Sequence, residues 1–246
     1  MLVSIITPTY NSIQFLNDTI QSLVNQTYTD WELLITDDCS TDKTRDLLKQ
    51  YSDKDHRIKV FYLEKNSGAG IARNNSIHNA SGRFIAFCDS DDQWTPSKLE
   101  KQLQFMLEHD LALSYSSYKV IDEQNTEQGE VVAPQKVTYQ TMLRNNYIGC
   151  LTAIYDTQKV GKIYMPEIRK RQDWALWLTI LKKIPYALGI QENLAIYRDR
   201  GKSISSNKLD LIKYNWEIYR KIEQFSTLKA GFYLIQFIFY YIKKKL

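Results

Sequence analysis

The stretch Phe84–Trp94, FIAFCDSDDQW, ends five apolar, strand-like residues in three aspartates, Asp89, Asp91 and Asp92. Carboxylates this close repel one another and settle only where a cation or strong donors hold them. Asp89 and Asp91, two apart at a strand end, can both turn toward one ligand and offer the hard oxygen donors that Mg²⁺ or Mn²⁺ takes. Such ions complete their shell with phosphate oxygens, so a nucleoside diphosphate is the natural companion. The plainer reading is a solvated loop in which Asp92 caps the next helix. Three further clusters weigh against it. In ITDDCSTD, with Asp37, Asp38 and Asp42, one carboxylate can accept the imide N–H of a uracil while Ser40 or Thr41 caps the following helix; capping alone would account for Asp42. TPTYN supplies Pro8 and Tyr10, either a flat surface for a base or a rigid turn. NSGAGIARN falls short of the dinucleotide fingerprint, because Arg73 stands where the third glycine must be. Gly68 and Gly70 read as a tight helix entry, and Arg73 as a cation facing a diphosphate or as half of a surface salt bridge.

These clusters need a scaffold that gathers strand ends. Residues 3–7, 31–36, 58–63 and 84–88 are short apolar runs of strand length. Between them Ile13, Leu16, Ile20 and Leu23, and later Leu99, Leu103 and Met106, keep helical spacing. Thr95-Pro96 supplies a cap and a first-position proline. The alternation predicts an α/β fold with right-handed crossovers and a Rossmann-like, mostly parallel sheet flanked by helices. Ligands bind beyond the carboxyl ends of such strands, where all four clusters fall. Further on, residues 111–120 read as a strand, 122–130 as a polar turn, and 171–181 (RQDWALWLTIL) as a helix with Trp174, Leu178 and Leu181 on one side. A boundary is expected near Ser205, between a main domain (1–205, with halves 1–110 and 111–205) and a helical tail (206–246).

Composition narrows the classes. With 246 residues, 43% hydrophobic and 24% charged, the chain can bury a large core, which excludes global disorder. Cys39, Cys88 and Cys150 are far apart and read as reduced thiols, not a disulfide frame or a zinc site. The N-terminal MLVSIITPTYNS reads as a first strand rather than a signal peptide, and no run reaches the ~18 apolar residues of a spanning helix. Of the net charge of +4, the stretch from Asn207 onward carries eight Lys/Arg against three Asp/Glu. An anionic partner would be met there.

The ordered set SIITPTYNS, ITDDCSTD, NSGAGIARN, FCDSDD and RQDWALWL resembles family 2 glycosyltransferases across roughly residues 3–205. The resemblance implies a GT-A fold, a nucleotide-sugar donor, a divalent metal (Mn²⁺ or Mg²⁺) and inversion at the anomeric carbon. By position, Thr7, Pro8, Tyr10, Asp38 and Arg73 would hold the nucleotide. Asp89 would bind the ribose and share the metal with Asp91, and Asp173 would be the general base. Trp174 and Gln172 would face the acceptor, Gln172 standing where the family often has Glu. In YRDRGKSIS (197–205), Arg200 replaces a histidine of the family pattern; it can add charge at the diphosphate but cannot ligate metal. Chains of this size resemble bacterial surface-polysaccharide (O-antigen, capsule, lipopolysaccharide) enzymes. The expected reaction is therefore β-1,3 transfer of glucose, or next galactose, from a UDP-sugar to a diphospho-undecaprenol-linked sugar. No nucleic acid is expected as partner, and an oligomer stays open. The alternatives are a nucleotide-sugar-binding module without transfer activity, which has no use for Asp173, and more remotely a nicotinamide-dependent oxidoreductase.

The tail holds GFYLIQFIFYYI (231–242) between Lys229 and Lys243-Lys244-Lys245. Twelve helical residues cannot span a bilayer, but apolar and basic groups together let a helix lie on one. A peripheral place on the inner face of the cytoplasmic membrane follows; the alternative is packing on the domain's own core or on a second subunit.

Overall fold

The computed structural model describes residues 1–201 and 208–243. Its strands are β1 (Val3–Thr9), β2 (Trp31–Asp37), β3 (Ile58–Tyr62), β4 (Phe84–Phe87), β5 (Gln93–Trp94), β6 (Leu113–Ile121), β7 (Glu127–Val131), β8 (Lys136–Val137), β9 (Ile154–Asp156) and β10 (Ala187–Arg198). The helices are α1 (Leu16–Val24), α2 (Thr44–Lys54), α3 (Ala69–Asn79), α4 (Lys98–Glu108), α5 (Tyr139–Met142), α6 (Thr157–Val160), α7 (Gln172–Leu181), α8 (Lys208–Glu217) and α9 (Thr227–Lys243), with a π-helical turn at Ile218–Ile222. The expected boundary at Ser205 lies outside the described residues.

All ten strands join one sheet in the order β3-β2-β1-β4-β9-β6-β10-β5, with β7 on β6 and β8 on β10. The first four strands pair in parallel as expected. The rest of the sheet is mixed, and most paired residues of the whole sheet still lie in parallel ladders, as expected. The three-residue β9 enters antiparallel between β4 and β6, β5, β7 and β8 pair antiparallel, and only β6–β10 is parallel again. The expected polar turn at 122–130 contains half of a hairpin, β7. Helix α4 starts after Ser97, with the Lys98 N–H donating to the Thr95 carbonyl (3.1 Å), so Thr95-Pro96 lies one turn outside the helix.

Strand alternation divides the core. Along β4, Ile85 and Phe87 enter one apolar layer with Trp174 and Trp177 of α7, while Phe84, Ala86 and then Cys88 enter the other with α1 and α4. Asp89 continues the parity of Ile85 and Phe87. It emerges on the α3/α7 side, which decides its partners. The order 3-2-1-4 also makes β1/β4 the switch point from which successive crossovers diverge, leaving a crevice at those carboxyl ends.

One polar group in the second layer carries a testable cost. Lys98 is fully buried; its Nζ donates to Gln102 Oε1 (2.6 Å) and the Thr152 carbonyl (3.3 Å) and lies 4.5 Å over the Trp94 ring. Burial pushes its pKa down to about 7. An unfolded lysine titrates near 10.4, so between these values the unfolded chain binds more protons and stability rises with pH. Below about 7 both states are charged and the full burial cost remains. Lys98→Met should therefore gain most over wild type at pH 7. Urea titrations should show that advantage shrinking by on the order of 4 kcal/mol toward pH 10. A pH-independent difference would contradict the desolvation.

Candidate active site

Four loops meet over the crevice, stitched by short polar side chains. After β1, the Asn11 N–H donates to Ser40 Oγ (2.9 Å), and Asn11 Oδ1 accepts the Thr41 N–H (2.8 Å). Ser12 Oγ meets Ser90 Oγ at 2.8 Å, tying the β1 loop to the aspartate loop. Asn11, Cys39 and Arg171 each hold positive φ (47°, 66° and 62°). Left-handed backbone costs a side-chain-bearing residue on the order of 1 kcal/mol and persists only where its surroundings impose it.

After β2, Asp37 is fully buried and accepts from the Ser40 N–H (3.0 Å) and Arg45 Nε (2.7 Å). Both oxygens of buried Asp38 accept loop amides, Ser67 N–H at 2.6 Å and Gly68 N–H at 2.7 Å. Asp38 thereby fixes the entry to α3, and each of its oxygens keeps a further acceptor position, so the loop-holding role sits beside the expected nucleotide contact. Gly68 makes that entry at φ 93°, open to glycine but not to other residues without strain. Gly70 answers a different need, since a Cβ there would lie 2.6 Å from Gln172 Cδ. Asp42, not Ser40 or Thr41, accepts the Thr44 N–H at the start of α2 (2.9 Å).

At the β4 end the aspartates part company. Asp89 is bidentate with Arg73 Nη2 at 2.6 and 2.7 Å. Asp91 pairs with Arg200 Nε at 2.8 Å. Asp92 turns inward, fully buried, and accepts the Arg198 N–H (3.1 Å). It does not cap α4. Burial, with Asp89 next, raises the Asp91 carboxyl; burial, then Asp91 and Asp89, pushes Asp92 up strongly. Burial opposes the Arg73 charge, yet Asp89, with Cys150 and Asp173 behind it, outweighs burial and holds the guanidinium protonated. Arg73 is therefore a buried partner of Asp89 rather than half of a surface ion pair.

The opposite wall is the N-terminus of α7. Gln172 Oε1 accepts from Arg73 Nη1 (3.4 Å) and its Nε2 donates to the Ile168 carbonyl, so it joins α7 to α3. Asp173 accepts from Asn146 Nδ2 (2.9 Å). Trp174 was expected to face the acceptor; it is wholly buried, its Nε1 donating to the Met142 carbonyl (2.8 Å), its ring edge-on to Tyr219 at 5.7 Å. It cannot stack on a sugar. Gln172 is likewise turned to Arg73 rather than outward. Thr7 is fully buried and Pro8 buried, so their side chains underlie the site, whereas Tyr10 is exposed.

Three residues escaped the sequence reading. Asn146, in an unpatterned loop, orients Asp173. Cys150, on a 3-10 turn, feels Arg73, Asp89 and Asp173. Arg198, buried, donates from Nε to the Asp91 carbonyl (3.1 Å) and from Nη1 to the Asp122 carbonyl (3.1 Å) and Asn125 Oδ1 (2.8 Å). It is a strut under the aspartate loop; the YRDR motif pointed to its neighbourhood.

The carboxylate pair suits a hard divalent cation, since Asp91 is half-buried beside a second carboxylate and each of the two pairs with an arginine. Among the described residues no group of three or more His, Cys, Asp or Glu forms a complete metal cage, so a bound ion would draw further ligands from a substrate.

An α/β crevice with paired aspartates, arginines and a facing carboxylate is the arrangement of an enzyme that transfers sugars from nucleotide donors. The chain belongs to glycosyl transferase family 2, whose model matches residues 4–171. It is a glycosyltransferase; members of the family are typically metal-dependent and inverting. It is 47% identical over 246 residues, all of this chain and 98% of the relative, to the putative teichuronic acid biosynthesis glycosyltransferase TuaG of Bacillus subtilis. It is 41% identical over 244 residues (99% and 94%) to WfgD of Escherichia coli, a UDP-Glc:alpha-D-GlcNAc-diphosphoundecaprenol beta-1,3-glucosyltransferase. Among solved structures, S. aureus TarS 1–349 in complex with UDP-GlcNAc superposes with a TM-score of 0.74 at 24% identity, over 97% of this chain and 72% of that one. The likeness establishes the GT-A-type fold. A mannosyltransferase from Pyrobaculum calidifontis in complex with GDP-Man and Mn²⁺ shares it at a TM-score of 0.69 and 14% identity, over 94% and 69% of the two chains.

Proposed function

We propose that the protein transfers glucose from UDP-glucose, with inversion, to position 3 of a diphospho-undecaprenol-linked sugar in surface-polysaccharide synthesis. The observation that carries this is the convergence on one crevice of Asp89 and Asp91, each matched by an arginine, with Asp173 on α7 joined to them through Gln172 and Arg73. The specified activity of WfgD, and of a second E. coli relative with the same activity, WfaP (39% identical over 207 residues), supports the donor, acceptor and linkage. Residues 1–110 form the donor half and 111–205 the acceptor half.

Asp173 takes the proton from the acceptor hydroxyl as its oxygen bonds to the anomeric carbon from the face opposite the diphosphate. The carbon–oxygen bond to UDP breaks with its electron pair left on the diphosphate. Asp89 and Asp91 would hold Mn²⁺ or Mg²⁺, which when bound neutralises charge on the leaving group as a Lewis acid. Arg73, on Asp89, and Arg200, on Asp91, would be the cations available to the diphosphate oxygens with a metal bound between the carboxylates. Tyr10, exposed at the β1 end, offers a face to the uracil. Asn146 keeps Asp173 aimed.

The tail supports a peripheral membrane location for this site. Helix α9 runs 17 residues, about 26 Å, and no helix among the described residues is long and apolar enough to cross a membrane. It has two faces. Ala230 and Phe237 are buried in the main core, with Tyr233 and Leu234 packed against it. On the opposite side Leu228, Phe232, Ile235 and Phe239 are 89, 57, 69 and 67% exposed. Spaced 4, 3 and 4, they form one stripe near Lys229, fitted to lie at the inner surface of an anionic membrane.

One experiment tests the reading: UDP-glucose, UDP-galactose and UDP-GlcNAc are offered with a synthetic GlcNAc-diphospholipid, in micelles and on phosphatidylglycerol vesicles, and the product linkage is read by NMR. Glucose in β-1,3 linkage is expected. Phe232→Glu/Ile235→Glu should abolish vesicle co-sedimentation while sparing turnover in micelles. UDP binding without any product would point instead to a binding module.

A further inference from the structure

The C-terminal segment braces the helix that carries Asp173 along its whole length. At the far end of α7, Lys182 Nζ meets the buried Glu223 carboxylate at 2.8 Å, which also takes the Tyr139 hydroxyl. In the first turn, the Trp174 ring meets Tyr219, whose hydroxyl donates to the Leu143 carbonyl (2.6 Å). At the near end stands Arg171, two residues before Asp173. Its guanidinium lies 5.2 Å from the Trp174 ring centroid and 5.1 Å from that of Phe237 on α9. Burial lowers its pKa, with Asp173 acting in the opposite sense.

We propose that Arg171 is a positioning residue whose cation–π contacts with Trp174 and Phe237 make the placement of Asp173 depend on helix α9. The backbone supplies the reason. Arg171 caps α7 at φ 62°, ψ 26°, a conformation that a non-glycine residue keeps only when its side chain is held. Phe237 comes from 66 positions further along the chain, so it contributes that hold only when α9 is docked. Without it the guanidinium loses one aromatic face, Arg171 can return to negative φ, and the first turn of α7 rotates. That turn carries Asp173 and also Gln172, the link to Arg73. Displacements of about 1 Å at a reacting group cost on the order of 10²-fold in rate. The face of α9 opposite the membrane stripe thus serves the chemistry.

This inference rests on Asp173 as the base, and the test separates the two. Phe237→Leu keeps an apolar core side chain but removes the aromatic face. It should lower kcat by about 5- to 50-fold, leaving the KM for UDP-sugar and the calorimetric affinity for UDP unchanged, with Tm lowered only slightly. Phe237→Trp should restore most of kcat. Arg171→Met keeps the left-handed strain but removes the cation from between the two rings, and should reproduce the Phe237→Leu loss. If Phe237→Leu keeps wild-type kcat while Asp173→Asn is inactive, the coupling is overturned and the base stands. If kcat, UDP affinity and Tm fall together and Phe237→Trp does not restore kcat, Phe237 is core packing only and the coupling is again overturned. A fully active Asp173→Asn overturns the base reading itself.

Discussion

Asp173→Asn is expected to lower kcat by about 10²–10⁴-fold, the usual worth of a positioned base, with UDP affinity close to wild type. The carboxamide keeps the size of the side chain and can still pair with Asn146 by rotating its oxygen toward Nδ2. What it loses is the ability to accept a proton. The proposed nucleotide contacts lie across the crevice on the β1, β2 and β4 loops, so binding and turnover should separate cleanly. Asp173 also contributes to the field that holds Arg73 protonated, but Asp89 dominates that effect, so the donor side should survive the exchange. Titration calorimetry with UDP beside steady-state transfer checks both. If UDP binding collapses while turnover at saturation persists, Asp173 supports structure rather than chemistry.

The donor half was legible because its signals are local. Each of β1 to β4 is a short apolar run closed by a polar cluster, and alternation along a run fixes which side chains face which layer. Residue 89 therefore had to emerge on the α3/α7 side, and the four clusters had to meet. The acceptor half was less legible because its contacts are distant in sequence. Strand β9 is three residues long and gains its place only between β4 and β6. Trp174 looked like a sugar platform because helical spacing reports a face of α7, not what covers it; the cover is Tyr219, 45 positions later. Gln172 has a residue type that suits a ligand and instead serves Arg73 and the Ile168 carbonyl, while Asp38 also holds the backbone that enters α3. Pairing of Arg73 with Asp89 could not be read from spacing alone, since a cation near a diphosphate site and a cation on its carboxylate have the same sequence. Of the outcomes foreseen for the tail, packing on the domain's own core is the one seen. Its core-facing side follows Ala230 and Phe237, and its apolar stripe remains outside.

Asp91→Asn should remove most activity, on the order of 10³-fold or more given the several kcal/mol a Lewis acid contributes to a leaving diphosphate, and EDTA should do the same to the wild type. The ion pairs add a sharper expectation. Asp89 and Asp91 are matched by Arg73 and Arg200, so a cation arriving alone must displace two arginines that then have no anion to meet. A cation arriving with UDP gives both arginines a diphosphate. Mn²⁺ should therefore bind weakly by itself and at least about tenfold more tightly with UDP, and by linkage UDP should gain equally from Mn²⁺. Arg200→Ala should narrow that gap by strengthening Mn²⁺ binding alone while weakening UDP. Acidity acts in a defined direction. Burial and Asp89 raise the Asp91 carboxyl, and only its ionised form takes a cation, so Mn²⁺ affinity should begin to fall above the usual carboxylate range as pH is lowered. Asp91→Asn removes that titrating group and should flatten the fall. Calorimetry or Mn²⁺ paramagnetic resonance with and without UDP, from pH 8 down to 5, measures all of these. Equal Mn²⁺ affinity in the presence and absence of UDP would mean that the arginines do not compete for the carboxylates.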